Sequence, residues 1–161
     1  MQDYFGTKQI MAQAMTLGAY NGYRGWDLPK DEDKETDGYL VEYIDGGKPN
    51  HPEHLGYISW SPADVFEASY QPTHAMSVGH ALAALRQGAR VCREGWNGKG
   101  MWLRLVDPYF DNEQFSVREH PGMDGTLIEH PFMKTADGKM VPWLCSLTDM
   151  MANDWQILGE E

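Results

Sequence analysis

"ARVCREGWNGKGMWLRLV", residues 89–106, decides how the rest of the chain is read. "ARVCRE" and "MWLRLVD" read as strands, and "GWNGKG" between them reads as a six-residue, glycine-rich hairpin tip. Strand alternation puts Met101, Leu103 and Leu105 on one face, suited to a helix-covered core. It puts Trp102, Arg104 and Val106 on the other. Glycine supplies the freedom that a tight tip needs, so turning the chain does not require the large aromatic Trp96. Either Trp96 lids the protein's own core or it offers a flat surface to something flat.

Working outward, Ser77 is expected to cap a helix over "VGHALAALRQG". Its Ala81, Leu82 and Leu85 share a face, and Gly88 stops it. Downstream, "QFSVRE" and "TLIEHPFMKTA" are candidate strands, and Asp137-Gly138 marks a hairpin between "FMKTA" and "KMVPWL". "SLTDMMAND" reads as a short helix capped by Ser146 or Thr148, and "WQIL" as a closing strand. One helix with an antiparallel sheet is an α+β unit.

Ahead of Pro72 a smaller α+β module is expected. It has a helix over "MTLGAYNGYRG" capped by Thr16, strands at "YLVEYID" and "GYISWS", and a helix in "SPADVFEASY" with Ser61 at N-cap and Pro62 at the first position. The expected organisation is therefore an N-terminal module over residues 1–73 and a second domain over residues 74–161.

The composition is that of a globular chain: 42% hydrophobic, 23% charged, 12% aromatic, with 6 Trp and 8 Tyr. At a net charge of −11, the long-range field disfavours binding to a nucleic-acid backbone. The first 73 residues hold 12 carboxylates against 5 Lys and Arg, the remainder 12 against 8. Two cysteines, Cys92 and Cys145, make no disulfide framework. No secretory leader or apolar run of membrane-spanning length is read, so free thiols in a reducing cytoplasm are expected.

Groups suited to binding are easier to find than a reaction centre. Trp102 beside Arg104 could hold a base or an anion, or form an ordinary surface pair. The tip offers backbone N–H groups and the Lys99 ammonium. It is neither a Walker loop nor a dinucleotide fingerprint. The helix start at Ser146, Thr148 and Asp149 presents N–H groups that attract anions, or is simply a capped end. "HPEH" sets His51 and His54 around Pro52 in a loop, and His120 and His130 each sit beside a proline. No zinc signature appears, and no metal site is expected. Cys92 and Cys145 read as inert thiols. No nucleophile motif is present, and no enzymatic activity or cofactor is expected.

The spaced motifs "ALRQGARVCREGWNGKGMWLRLV" and "MKTADGKMVPWLCSLTDMMANDWQIL" together resemble the Thoeris anti-defence protein 2 family of phage proteins, over residues 76–158. "GYLVEYIDGGKPNHPEHLGYISWSP", in the first module, resembles an extra segment found on some phage relatives. The family resemblance implies a sponge working in the host cytoplasm. It would bind glyco-cyclic ADP-ribose, the signal that a TIR-domain enzyme makes from NAD, and hold it without degrading it. It also implies a homotetramer with ligand pockets at protomer contacts and, for some members, cyclic dinucleotides at a separate site.

On that expectation Trp96, Trp102 and Trp155 become stacking candidates, and Asn97 a two-point partner for an adenine edge. Arg93, Lys99 and Arg104 would supply charge, and Ser146, Thr148 and Asp149 would supply the helix start. Asp154 would accept from a ribose hydroxyl or an adenine amino group, or orient Trp155. Two other classes compete: an acidic interaction protein or DNA mimic acting on a host defence protein, and a hydrolase of nucleotide signals. The hydrolase would need a metal or general base that the sequence does not display.

Overall fold

A computed structural model describes residues 1–4, 6–106 and 129–159. "QFSVRE", the first residues of "TLIEHPFMKTA" and His120 lie outside the described residues. The chain divides into two compact units, Met1–Tyr70 and Gln71–Glu161. The division falls three residues earlier than the sequence reading placed it. Gln71 and Thr73 already bond within the second unit: the Ser77 amide donates to Gln71 Oε1 at 2.7 Å and the Ile157 amide to the Thr73 carbonyl at 2.8 Å.

The first unit runs β1 (Met11–Ala14), α1 (Leu17–Arg24), β2 (Gly38–Tyr43), β3 (Tyr57–Pro62) and α2 (Ala63–Ser69). Its sheet is antiparallel in the order β1-β2-β3. Thr16 caps α1 as its type predicts, accepting from the Ala19 amide at 3.3 Å. Tyr20 of α1 packs on Leu40 and Ile58, with Met15, Tyr23 and Trp60 around them. Tyr39, on the alternate parity of β2, stacks on Phe66 of α2 at 4.1 Å.

Two expectations are corrected in this unit. β1 was not foreseen, because "MAQA" has neither alternation nor β-branched residues. All four of its residues are exposed, and its pairing with β2 defines it. Ser61 is not the cap of α2. It lies within β3, and Pro62 occupies the N-cap position with no side-chain bond.

The second unit runs α3 (Val78–Arg86), β4 (Arg90–Arg93), β5 (Trp102–Val106), β6 (His130–Lys134), β7 (Met140–Pro142), α4 (Leu147–Met150) and β8 (Trp155–Leu158). The five strands are ordered β7-β6-β5-β4-β8, antiparallel at each junction. This is the α+β class that the sequence implied. α3 closes one face. Met76, Ala81, Ala84, Leu85, Val91, Leu103 and Trp155 form the core, and Trp96, Leu105, Met133 and Trp143 pack against it.

Three details differ from the reading. The inward positions of α3 are Ala81, Ala84 and Leu85, a set with i, i+3, i+4 spacing, and Leu82 is exposed. Ser77 stands at the N-cap but makes no cap bond, its hydroxyl lying 2.9 Å from His80 Nδ1. Val106, expected on the outer face, is buried, as its place on the middle strand of the sheet favours.

Candidate functional site

The hairpin between β4 and β5 is braced from two sides. On one side Arg93, the last residue of β4, reaches the loop and helix before β8. Its Nε donates to Asp154 Oδ1 at 2.7 Å and its Nη1 to Asp149 Oδ1 at 2.8 Å. Asp154 also accepts the Gly95 amide at 2.8 Å. Asp149 accepts the Trp96 indole N–H at 2.9 Å and the Ser146 hydroxyl at 2.7 Å, while the Asp149 amide donates back to Ser146. The result is a capping box at the start of α4. The buried Trp155 indole donates to the Asp149 carbonyl at 3.1 Å, and Trp96 meets Trp155 edge-on at 5.5 Å.

The two carboxylates respond to this setting. Burial by itself would raise the Asp149 carboxyl, but the bonds from Trp96, Arg93 and Ser146 outweigh it and hold it below the usual range. The Arg93 bond holds Asp154 low against its own burial, with the Gly95 amide adding to the effect. Burial and the nearby Asp154 charge push the Cys92 thiol up, away from a reactive thiolate.

On the other side the tip meets the β6–β7 turn. A Cβ at Gly98 would lie 2.2 Å from Met101 Sδ and 3.2 Å from Ala136 Cβ. A Cβ at Gly95 would lie 2.8 Å from Asp154 Oδ2. These close approaches explain the glycines flanking Trp96-Asn97 better than turning alone does. Lys134 at the end of β6, opposite Trp102 in register, donates from Nζ to the Gly100 carbonyl at 3.0 Å.

The sequence-derived candidates therefore separate into two sets. Arg93, Trp96, Asp149, Asp154 and Trp155 are brought together, along with Ser146, but as a scaffold. Trp155 has no exposed surface, so it offers no stacking face. Arg93 is paired with two carboxylates of its own fold. At the start of α4 the Asp149 carboxylate, only 8% exposed, closes a capping box with Ser146 and puts a negative charge there, which disfavours an anion. Trp96 is half-buried, its N–H turned inward.

Asn97, Lys99, Arg104 and Thr148 are exposed, and so is Ser146 of the first set. The Ser146 and Thr148 hydroxyls lie 2.8 Å apart. Trp102 is half-buried, with the Arg90 guanidinium 5.5 Å over its ring; the expectation had paired it with Arg104. Arg90 and Lys134 were missed by sequence reasoning. Each reaches the hairpin through strand register, which single-strand alternation does not supply.

In the first unit the "HPEH" loop is held by Tyr23. His51 stacks on the Tyr23 ring at 4.4 Å. The Tyr23 hydroxyl donates to Glu53 at 3.1 Å and lies 3.0 Å from His54 Nε2. His54 Nδ1 is 2.8 Å from Glu42. Among the described residues no group of three or more His, Cys, Asp or Glu side chains is placed to hold a metal ion. No helix among them is long and apolar enough to cross a membrane.

Comparison with known proteins places the second unit in a class. The model of the Tad2-like family, the Thoeris anti-defense 2-like domain, matches residues 76–158. The chain belongs to this family, and an anti-defence role of phage type goes with that membership. Among its relatives is the protein of Bacillus phage SP01 named Thoeris anti-defense 2. It is 42% identical over 88 residues, 52% of this chain and 96% of that protein.

Proposed function

We propose that the second unit sequesters a cyclic ADP-ribose signal, glyco-cyclic ADP-ribose, without degrading it. The observation that carries this reading is the braced tip. Two independent sets of bonds fix the hairpin, and the groups left facing outward, Asn97 and Lys99, are an amide and a cation. Asn97 suits an adenine edge and Lys99 suits a phosphate. A hairpin backbone fixed in advance loses little freedom on binding, which favours the nanomolar affinity, about −12 kcal/mol, that a sponge needs.

The pocket is completed by a second copy of the chain in a homotetramer. Val141, Leu144, Leu147, Met150 and Met151 are exposed along β7 and α4, and Leu144 is 89% accessible. Apolar side chains gathered in this way suit a subunit contact. The site of action is the host cytoplasm, and a separate cyclic-dinucleotide site is a further expectation from the family.

The test is retention. The protein is incubated with glyco-cyclic ADP-ribose, freed of unbound ligand and heat-denatured, and the released material is identified. Intact signal supports the sponge. Altered signal makes the protein an enzyme. No retained signal leaves an acidic protein that acts on a protein partner.

A further inference from the structure

We propose that Lys134, with Lys99, forms the phosphate-holding side of the site. This inference rests on the sponge reading and replaces the helix start as the anion locus. The Asp149 carboxylate occupies the start of α4, and the Arg93 charge is neutralised beside it. Other cations near the tip are then better placed to hold the phosphates.

The cations near the hairpin differ in what they already serve. Lys139 is 2.7 Å from Asp137. Arg90 lies over Trp102 and donates to the Gly159 carbonyl at 3.1 Å. Lys134 donates to the Gly100 carbonyl and is paired with no carboxylate among the described residues. An ammonium carries three protons, so two remain for a ligand. Lys99 stands one residue before Gly100, is exposed, and pairs with no described carboxylate either.

A Cβ on Gly100 would sit 3.9 Å from Lys134 Nζ, so the backbone beside Lys99 and the Lys134 ammonium are immediate neighbours. Two cations anchored at neighbouring positions, one on the tip and one at the end of β6, repel each other where their ammonium groups approach. A pyrophosphate bridging them relieves that repulsion and gains charge-assisted bonds. Because one proton of Lys134 is tied to the tip, its ammonium is pre-positioned and loses little side-chain freedom on binding.

The experiment uses the full chain and calorimetric titration with glyco-cyclic ADP-ribose at several NaCl concentrations, with inorganic pyrophosphate as competitor. Lys134→Gln and Lys99→Gln are each expected to weaken binding at least tenfold, to make affinity less dependent on salt, and to reduce competition by pyrophosphate. Lys134→Arg is expected to recover part of the loss, and Lys139→Gln to bind as the parent does. Lys99 makes no bond within the described fold, so its variant reports on charge even if Lys134→Gln loosens the tip. If the parent chain binds the signal while both glutamine variants bind within twofold, with unchanged salt dependence, this inference fails alone. If the parent chain binds no signal, the sponge reading fails and takes this one with it.

Discussion

Arg93 illustrates how a charge on the hairpin serves the fold. Its guanidinium bonds both Asp149 and Asp154, and the planar, rigid fork matters because a lysine offers a single compact charge on a flexible stem. Arg93→Met leaves the Asp149 carboxylate buried and short of a partner, a loss of about 3 kcal/mol for breaking a pair of this kind. Arg93→Lys is expected to recover only part of it. Chemical denaturation followed by tryptophan fluorescence measures both. An Arg93→Met chain as stable as the parent would show that the network carries no net energy.

The same residues set an acid limit. Asp149 and Asp154 are held below their ordinary range in the folded chain, so the unfolded chain binds more protons once pH drops below about 4. Their stabilisation is full at neutral pH and is lost as pH falls through the folded values. The denaturation midpoint is expected to fall more steeply between pH 5 and pH 3, on the order of the carboxylate range, for the parent than for Asp154→Asn. Identical slopes would remove these carboxylates as its cause.

At the scale of elements, local signals were legible and register was not. Thr16 before α1, Ser146 before α4, Asp137-Gly138 in the β6–β7 turn and the β4–β5 hairpin each carry their cue within a few residues. β1 carries none, because an edge strand takes its identity from β2. The scaffold of the tip joins residues 53 to 61 positions apart, Trp96 with Asp149 and Arg93 with Asp154. No periodicity encodes such a meeting, so the bonds that join these residues are not legible in the sequence.

The segment before α3 matters for the same reason. The Ile157 amide donates to Thr73, and Met76 exchanges backbone bonds with Trp155, which covers the outer edge of β8. A fragment beginning at Gln71 is expected to melt several degrees above one beginning at Ala75, roughly the shift that 1 kcal/mol produces in a domain of this size. Equal melting temperatures would show that the strap contributes nothing.

For the whole molecule the exposed apolar run of β7 and α4 is the feature to test. Leu144 and Leu147 are 89% and 73% accessible in the single chain. Leu147→Glu places a charge where a subunit contact would bury it and is expected to dissociate the proposed oligomer, as light scattering at micromolar concentration would read. The melting temperature of the second unit would change little, since Leu147 lies outside its core. If the parent is already monomeric, the shared pocket has no partner to complete it.

Asp149 receives two indole protons by different routes: that of Trp96 on its carboxylate and that of Trp155 on its backbone carbonyl. The fold thereby contains its own opening gauge. Deuterium replaces the Trp96 proton whenever the tip lifts, but the Trp155 proton exchanges only when the core around it comes apart. The difference between the two rates gives the free energy of lifting the tip separately from that of unfolding the unit. A ligand that seats on the tip would slow the first exchange in proportion to its occupancy, reporting its arrival from a proton it never touches.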